Sequence, residues 1–324
     1  MQIQDVFSVY KNDLQQVEKC INDNVISEIK LIPEIAHHLI DSGGKRFRPL
    51  LLLICARLCG YHGEDRFPMA AVMEYIHTAT LLHDDVIDEA VIRRGKDSAN
   101  KVFGNSVSIL VGDFLCFKAF MLMSATRNND IFGLVSQMGN IMSEGEVFQL
   151  TKCGDVHVTE SEYLSIIEKK TAVLISAACA VGAILGKAAK EQIAALSVFG
   201  LNAGMAFPIT DDVLDYTAQG KDFGKSIGKD LEEGKITLPL IFAIQQSSEE
   251  ERKIIEEIIT RKKGSQKAAR AITRLIKKYN AIESSLKVAN GYISAAKAQL
   301  NVFGECREKD HLLTVADYIL SRNL

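Results

Sequence analysis

The 324-residue chain has no tryptophan, only five prolines and no convincing run of alternating strand pattern. Scarce proline leaves helices unbroken, and without a period of two there is no pattern for half-buried strands. Positive charge is not in excess either: 38 Lys and Arg stand against 41 Asp and Glu, a net charge of −3. Nonspecific binding to nucleic-acid phosphates needs a basic surface, so composition gives no support for nucleic acid as a partner. The seven cysteines, Cys20, Cys55, Cys59, Cys116, Cys153, Cys179 and Cys306, form no CxxC pair and are odd in number. They fit reduced thiols in the cytosol better than a disulfide framework. The N-terminus lacks the apolar core of a signal peptide. The most membrane-like segment, Thr171 to Gly186, runs sixteen residues without a charge, short of the roughly 20 that a span needs. Its Ala, Ser and Gly suit close packing. It reads as a buried core helix, and the chain as cytoplasmic with no transmembrane segment.

What is present is helical periodicity almost throughout. Phe67, Val72, Tyr75, Ile76, Ala79, Leu82, Val86 and Ile87 line one broad apolar face. Pro49 follows Gly43-Gly44-Lys45-Arg46-Phe47-Arg48, at a position where a first helical turn tolerates proline. No break is long enough to be a domain linker. The expectation is an all-α fold: a single large helical bundle, one domain over residues 1–324.

One internal echo stands out. Asp84-Asp85-Val86-Ile87-Asp88 recurs as Asp211-Asp212-Val213-Leu214-Asp215, each copy after an apolar helical run. Asp84 and Asp88 share a helix face, as do Asp211 and Asp215. Like charges at this spacing destabilise a helix by ~0.2–0.5 kcal/mol per pair. One such cluster is ordinarily a solvated helix end. Two, each at the end of a strongly apolar helix, bring charge close to the core, where a hard divalent cation stabilises it. Magnesium takes a few carboxylates plus substrate phosphates and waters, so the pair points to phosphates as well as metal. Cations follow in kind: the glycine pair with Lys45, Arg46 and Arg48 at a helix start, Arg93-Arg94-Gly95 after the first cluster, and Lys225 and Lys235 after the second. Each basic group alone reads as a solvated patch. Their order relative to the two clusters makes the pattern.

In order and spacing, GGKRFRP, LLHDDVIDEAVIRRGK, the Lys170-Thr171 pair and FPITDDVLDYTAQGKDFGKSIGKDLEEGKITLPL resemble the trans-polyprenyl diphosphate synthase family. IHTATLLHDDVIDE is most like its long-chain bacterial members of octaprenyl type. The resemblance implies an isoprenoid-synthase fold around a deep central cavity, in a homodimer. It implies that Lys45, Arg48, His77 and Arg94 bind isopentenyl diphosphate. Asp84, Asp88 and Asp211 would ligate several Mg2+ ions bridging to an allylic prenyl diphosphate. Arg93, Lys170, Thr171, Lys225 and Lys235 would hold that diphosphate, and Asp85, Asp212 and Asp215 would support the metal sites. The family has Phe-Gln where this chain has Phe207-Pro208. Proline offers neither side-chain donors nor a backbone N–H, so the glutamine's role is not carried over.

The chemistry then needs no protein nucleophile, and the sequence offers no GxSxG elbow or P-loop. Bulky residues four or five positions before the first cluster stop the chain early in this family. Here Thr80 and Ala79 are small, with Ile76 and Met73 next along the helix. An open tunnel and a product near C40, for a quinone side chain, follow; a shorter farnesyl or geranylgeranyl product is the alternative. Another class altogether is a carboxylate-bridged di-iron bundle, because Glu-x-x-His occurs at Glu34/His37, Glu74/His77 and Glu308/His311. That reading leaves both Asp clusters and the basic motifs without a purpose.

Overall fold

The helical periodicity translates directly into helices in the computed structural model of the chain, which describes residues 1–217, 230–231, 233–260 and 266–321. In chain order these are α1 (Ile3–Val9), α2 (Lys11–Asn24), α3 (Leu31–Ile40), α4 (Phe47–Leu58) and α5 (Arg66–Ile87). After a short hairpin come α6 (Ala99–Phe103), α7 (Asn105–Ala125), α8 (Asn129–Lys152), α9 (Glu160–Ile167), a π-helical turn over Glu168–Ala172, and α10 (Val173–Leu185). The chain continues as α11 (Lys190–Thr217), α12 (Leu238–Gln246), α13 (Glu249–Thr260), α14 (Gln266–Lys278), α15 (Ala281–Gln299) and α16 (Arg307–Ser321). The fold is all-α. Its only strands among the described residues, β1 (Ile92–Arg93) and β2 (Lys96–Asp97), pair antiparallel and are too short for an alternating pattern to register.

The chain divides into two compact units, the first joining Met1–Gln137, Leu174–Ser197 and Val302–Thr314. At its centre α5 packs against α2, α4 and α7. Its residues are buried on every side around Phe67–Ile76, as an enclosed helix requires. The helix stops at Asp88, after which Glu89 takes a left-handed φ of 49°. The small residues of α10 serve contact, as the segment from Thr171 to Gly186 suggested. A Cβ at Gly182 would stand 2.5 Å from the carbonyl oxygen of Leu52, so α10 and α4 meet backbone to backbone.

The second unit joins Met138–Val173, Val198–Asn301 and Val315–Leu324. Here α12, apolar and preceded by Thr237, with Pro239 in its first turn, packs against α9, α14 and α15.

Among the described residues two helices are long and apolar enough by length and composition to cross a membrane, α7 and α11, with mean hydropathy 1.7 and 1.6 over their most apolar windows. Residues 171–186, the stretch singled out above as most membrane-like, are not one of them. Length and composition do not separate a span from a core helix, and α11 carries Asp211, Asp212 and Asp215 in its last turns.

Candidate active site

In the first unit the GGKRFR loop is pinned by one of its own cations. Arg46 adopts a left-handed φ of 47°, pairs with Glu18 and with Glu74 (Nη1 to Oε2, 3.0 Å), and donates to the carbonyl of Ile40 at 3.0 Å. Glu74 is thereby engaged away from any iron. Among the described residues no three His, Cys, Asp or Glu side chains converge as a metal cage. The other half of the supposed Glu308/His311 motif is buried against Tyr10, whose hydroxyl lies 3.3 Å from His311 Nδ1.

With Arg46 anchored, the remaining cations gather around His77. Burial, then the charges of Arg48, Arg94, Arg93 and Arg46, hold its imidazole well below the ordinary value of 6.5, so it is neutral at neutral pH. Arg48 is itself lowered by burial, and its Nε is buried without a hydrogen-bond partner. Arg94 occupies the β1–β2 turn with φ 51° next to Gly95 at φ 77°, the paired positive angles of a two-residue hairpin turn. It donates to the carbonyl of Gly43, so hairpin and glycine loop are tied together. Lys45 stands exposed on that loop.

The first Asp cluster lies at the carboxyl end of α5, with no basic residue in the last turn. Acids there meet the negative end of the helix dipole. Asp85 is fully buried and accepts from Arg93 Nε at 2.8 Å, while its Oδ2 has no partner. Arg93, expected to hold an allylic diphosphate, is thus seated on Asp85. Along the same helix Ala79 and Met73 are fully buried and Ile76 nearly so, and Thr80 donates to the carbonyl of His77 at 2.9 Å.

In the second unit the second cluster repeats this arrangement: Asp211, Asp212 and Asp215 sit near the carboxyl end of α11, again with no base in the last turn. The hydroxyl of Tyr163 donates to Asp212 Oδ2 at 2.6 Å. Burial raises the Asp212 carboxyl well above its ordinary range, and that hydrogen bond works in the opposite direction. Tyr163 is held by its helix start, where Thr159 and Glu162 form a reciprocal cap. Lys152, 2.6 Å from Glu162, helps bring that carboxyl down to about 2. Tyr163, Asp212, Asp230, Lys235, Gln149 and Lys152 line a cavity of about 140 Å³.

Lys170 and Thr171 lie on the π-helical turn, a feature found often at functional sites. Lys170 Nζ is 2.6 Å from Glu146 Oε2, and Lys169 Nζ is 3.2 Å from Glu144 Oε2. Two glycines close on this turn. A Cβ at Gly145 would stand 2.5 Å from Lys169 Cβ, and one at Gly204 would stand 2.6 Å from Ala172 Cα. Pro208 lies inside α11 four residues past Gly204, whose carbonyl therefore lacks the usual helical donor. Lys235 lies 2.7 Å from Glu233. Lys225 falls outside the described residues.

Sequence reasoning missed Arg46 as an anchor, Glu146 and Tyr163 as partners of chosen residues, and Asp230 in the same cavity as Asp212. Only the cap at Thr159 and Glu162 carries a local signal, the T-x-x-E spacing. The others meet their partners through folding alone.

The profile of the family described as Polyprenyl synthetase matches residues 29–276. The chain belongs to that family. It is a prenyltransferase with relatives of several product lengths. It is 39% identical over 264 residues to the octaprenyl diphosphate synthase of Escherichia coli (strain K12), covering 82% of both chains. It is 34% identical to the geranylgeranyl diphosphate synthase of Methanosarcina mazei, covering 99% of each. The crystal structure of a polyprenyl synthase from Caulobacter crescentus CB15, complexed with calcium and isoprenyl diphosphate, superposes with a TM-score of 0.94 at 38% identity. That superposition covers 100% of this chain and 98% of the other.

Proposed function

We propose that this polyprenyl synthase condenses isopentenyl diphosphate head to tail onto an allylic diphosphate, in one domain over residues 1–324, and stops near C40. The observation that carries the reading is that two aspartate triplets of identical spacing each end an apolar helix, at the negative end of its dipole. A divalent cation is favoured where carboxylates gather at such an end. The donor set is all oxygen, which suits magnesium. Asp84, Asp88 and Asp211 would hold it, with Asp85, Asp212 and Asp215 in support. When bound, magnesium neutralises charge on the departing diphosphate.

The chain's own residues do the rest. Lys170, Thr171, Lys225, Lys235 and Arg93 hold the allylic diphosphate so that its C–O bond ionises with the leaving group in place. Lys45, Arg48 and Arg94 hold isopentenyl diphosphate. Neutral His77 contributes hydrogen bonding there without adding positive charge. The double bond attacks the carbocation, the proton lost passes to the departing diphosphate, and apolar walls keep water from quenching the cation. Small Ala79 and Thr80, with Ile76 and Met73 beyond, leave room for a long tail, and the octaprenyl relative supports the same length.

A homodimer in the cytoplasm completes the reading. Its support is an exposed aromatic group on α7 and α8, where Phe117 meets Phe120 edge-on at 6.3 Å between ring centroids and Phe120 meets Phe132 tilted at 6.2 Å, beside exposed Met121. Analytical ultracentrifugation should give twice the chain mass, and Phe117→Asp with Met121→Asp should give monomer.

The deciding experiment incubates the protein with magnesium, farnesyl diphosphate and labelled isopentenyl diphosphate, followed by chromatography of the products. A product near C40 is expected, and Asp84→Ala and Asp211→Ala should each remove most turnover while the helical circular dichroism stays unchanged. A product no longer than C20 would overturn the chain length. Near-normal turnover in either variant would overturn the two-cluster mechanism.

A further inference from the structure

Charge on this molecule is segregated. The thirteen residues of α14 hold five cations and no acid, while the rest of the chain holds 33 Lys and Arg against 41 Asp and Glu. No acid occurs anywhere from residue 258 to residue 282. Lys267, Arg270, Arg274 and Lys277 follow at intervals of three and four, which puts them in one row along the helix. All four are exposed. The opposite face, Ala268, Ala269, Ile272, Thr273 and Ile276, is buried against α12 and α15, so the row is fixed in place and turned outward. Lys278 pairs with Glu251 at 2.7 Å, but among the described residues the four cations of the row make no ion pair. A charge run built for solubility is ordinarily mixed in sign or laced with i,i+4 partners. This one is neither.

We propose that the outward row of α14 docks the synthase on an anionic lipid surface. Four cations along ~15 Å of rigid helix match a flat, laterally mobile layer of anionic headgroups, which can gather beneath them. The row itself contains no aromatic side chain, the stacking platform on which single-stranded nucleic acid is ordinarily held. The choice of lipid over other polyanions rests on the function proposed above. A polyprenyl diphosphate of that length is apolar except at one end, and a transferase that consumes it would meet it in a bilayer. Docking near that surface shortens the path from synthase to membrane.

The test mixes the full-length protein with sedimenting vesicles of phosphatidylcholine alone or of phosphatidylcholine with phosphatidylglycerol, without substrate. Binding is expected to the anionic vesicles only and should weaken steeply from 50 to about 300 mM salt, where screening shortens. The variant K267E/R270E/R274E/K277E should bind at least about 100-fold more weakly, since each cation near an anionic leaflet contributes roughly fivefold. Should that variant fail to fold, the glutamine series K267Q/R270Q/R274Q/K277Q carries the same expectation. Equal binding to neutral vesicles, salt-insensitive binding, unchanged binding of either folded variant, or preference for heparin or RNA over anionic vesicles would overturn the proposal. Vesicle binding and prenyl transfer are read separately. Product formation without vesicle binding removes the docking surface alone, and vesicle binding without product removes the enzymatic reading alone.

Discussion

The hydroxyl of Tyr163 reaches 2.6 Å to Oδ2 of Asp212, in the middle of the second Asp cluster. It fixes one carboxylate oxygen and thereby orients the other. Tyr163→Phe removes the donor but keeps the ring in its buried place. The expected result is a lower kcat and a several-fold higher magnesium concentration for half-maximal rate. Loss of a buried hydrogen bond alone would typically cost about 1–3 kcal/mol of stability and leave the magnesium requirement alone. A magnesium titration of the variant, beside its melting curve, separates the two.

Gly204 and Gly145 admit no side chain without moving the turn that carries Lys170 and Thr171. Gly204→Ala places a methyl where Ala172 Cα already lies at 2.6 Å. The Michaelis constant for the allylic substrate should rise by about tenfold or more, and that for isopentenyl diphosphate should change little. Equal rises in both would show that the glycine serves general packing rather than the π-helical turn.

Ala79 is fully buried one helical turn before Asp84. If it borders the tail's path, Ala79→Phe keeps activity on short primers and stops the product at about C15 to C20. If it is packed instead, overpacking costs ~1–3 kcal/mol and what activity survives still gives the full-length product. Product chromatography and melting temperature, taken together, decide.

His77 gives a pH signature. Its folded value lies well below 6.5 while the unfolded chain keeps the ordinary value, so below pH 6.5 the unfolded state binds the extra proton. Stability contributed by neutral His77 is therefore complete above pH 6.5 and is lost as pH falls below it. His77→Asn should flatten the decline of melting temperature between pH 7 and pH 5, although His311, also lowered by burial, leaves a residual slope. An unchanged slope would mean that the imidazole is solvated.

Much of the fold was legible because each element carries its own period. The apolar face from Phe67 to Ile87 predicted α5 almost to the residue. The Asp clusters were legible because repetition in sequence needs no folding to be seen. Partnerships were not. Nothing local pairs Arg46 with Glu18 and Glu74 across 28 residues in each direction, or Tyr163 with Asp212 across 49. The hairpin at Ile92–Asp97 escaped because its positive φ at Arg94 is set by a contact to Gly43, not by an Asn-Gly or Asp-Gly pair. The longer apolar helices α7 and α11 were passed over for residues 171–186 because interspersed polar residues hid their length.

Arg46 gives the glycine loop an unusual economy. Its guanidinium donates to Glu18, Glu74 and the carbonyl of Ile40, which hold it in place. What it supplies is rigidity: crowding Arg48 and Arg94 around a desolvated imidazole is unfavourable, and that work is done when the protein folds. On the proposed function, a diphosphate arriving there would meet side chains already held in place, with little left to order, and its binding would relieve a repulsion that was built in beforehand.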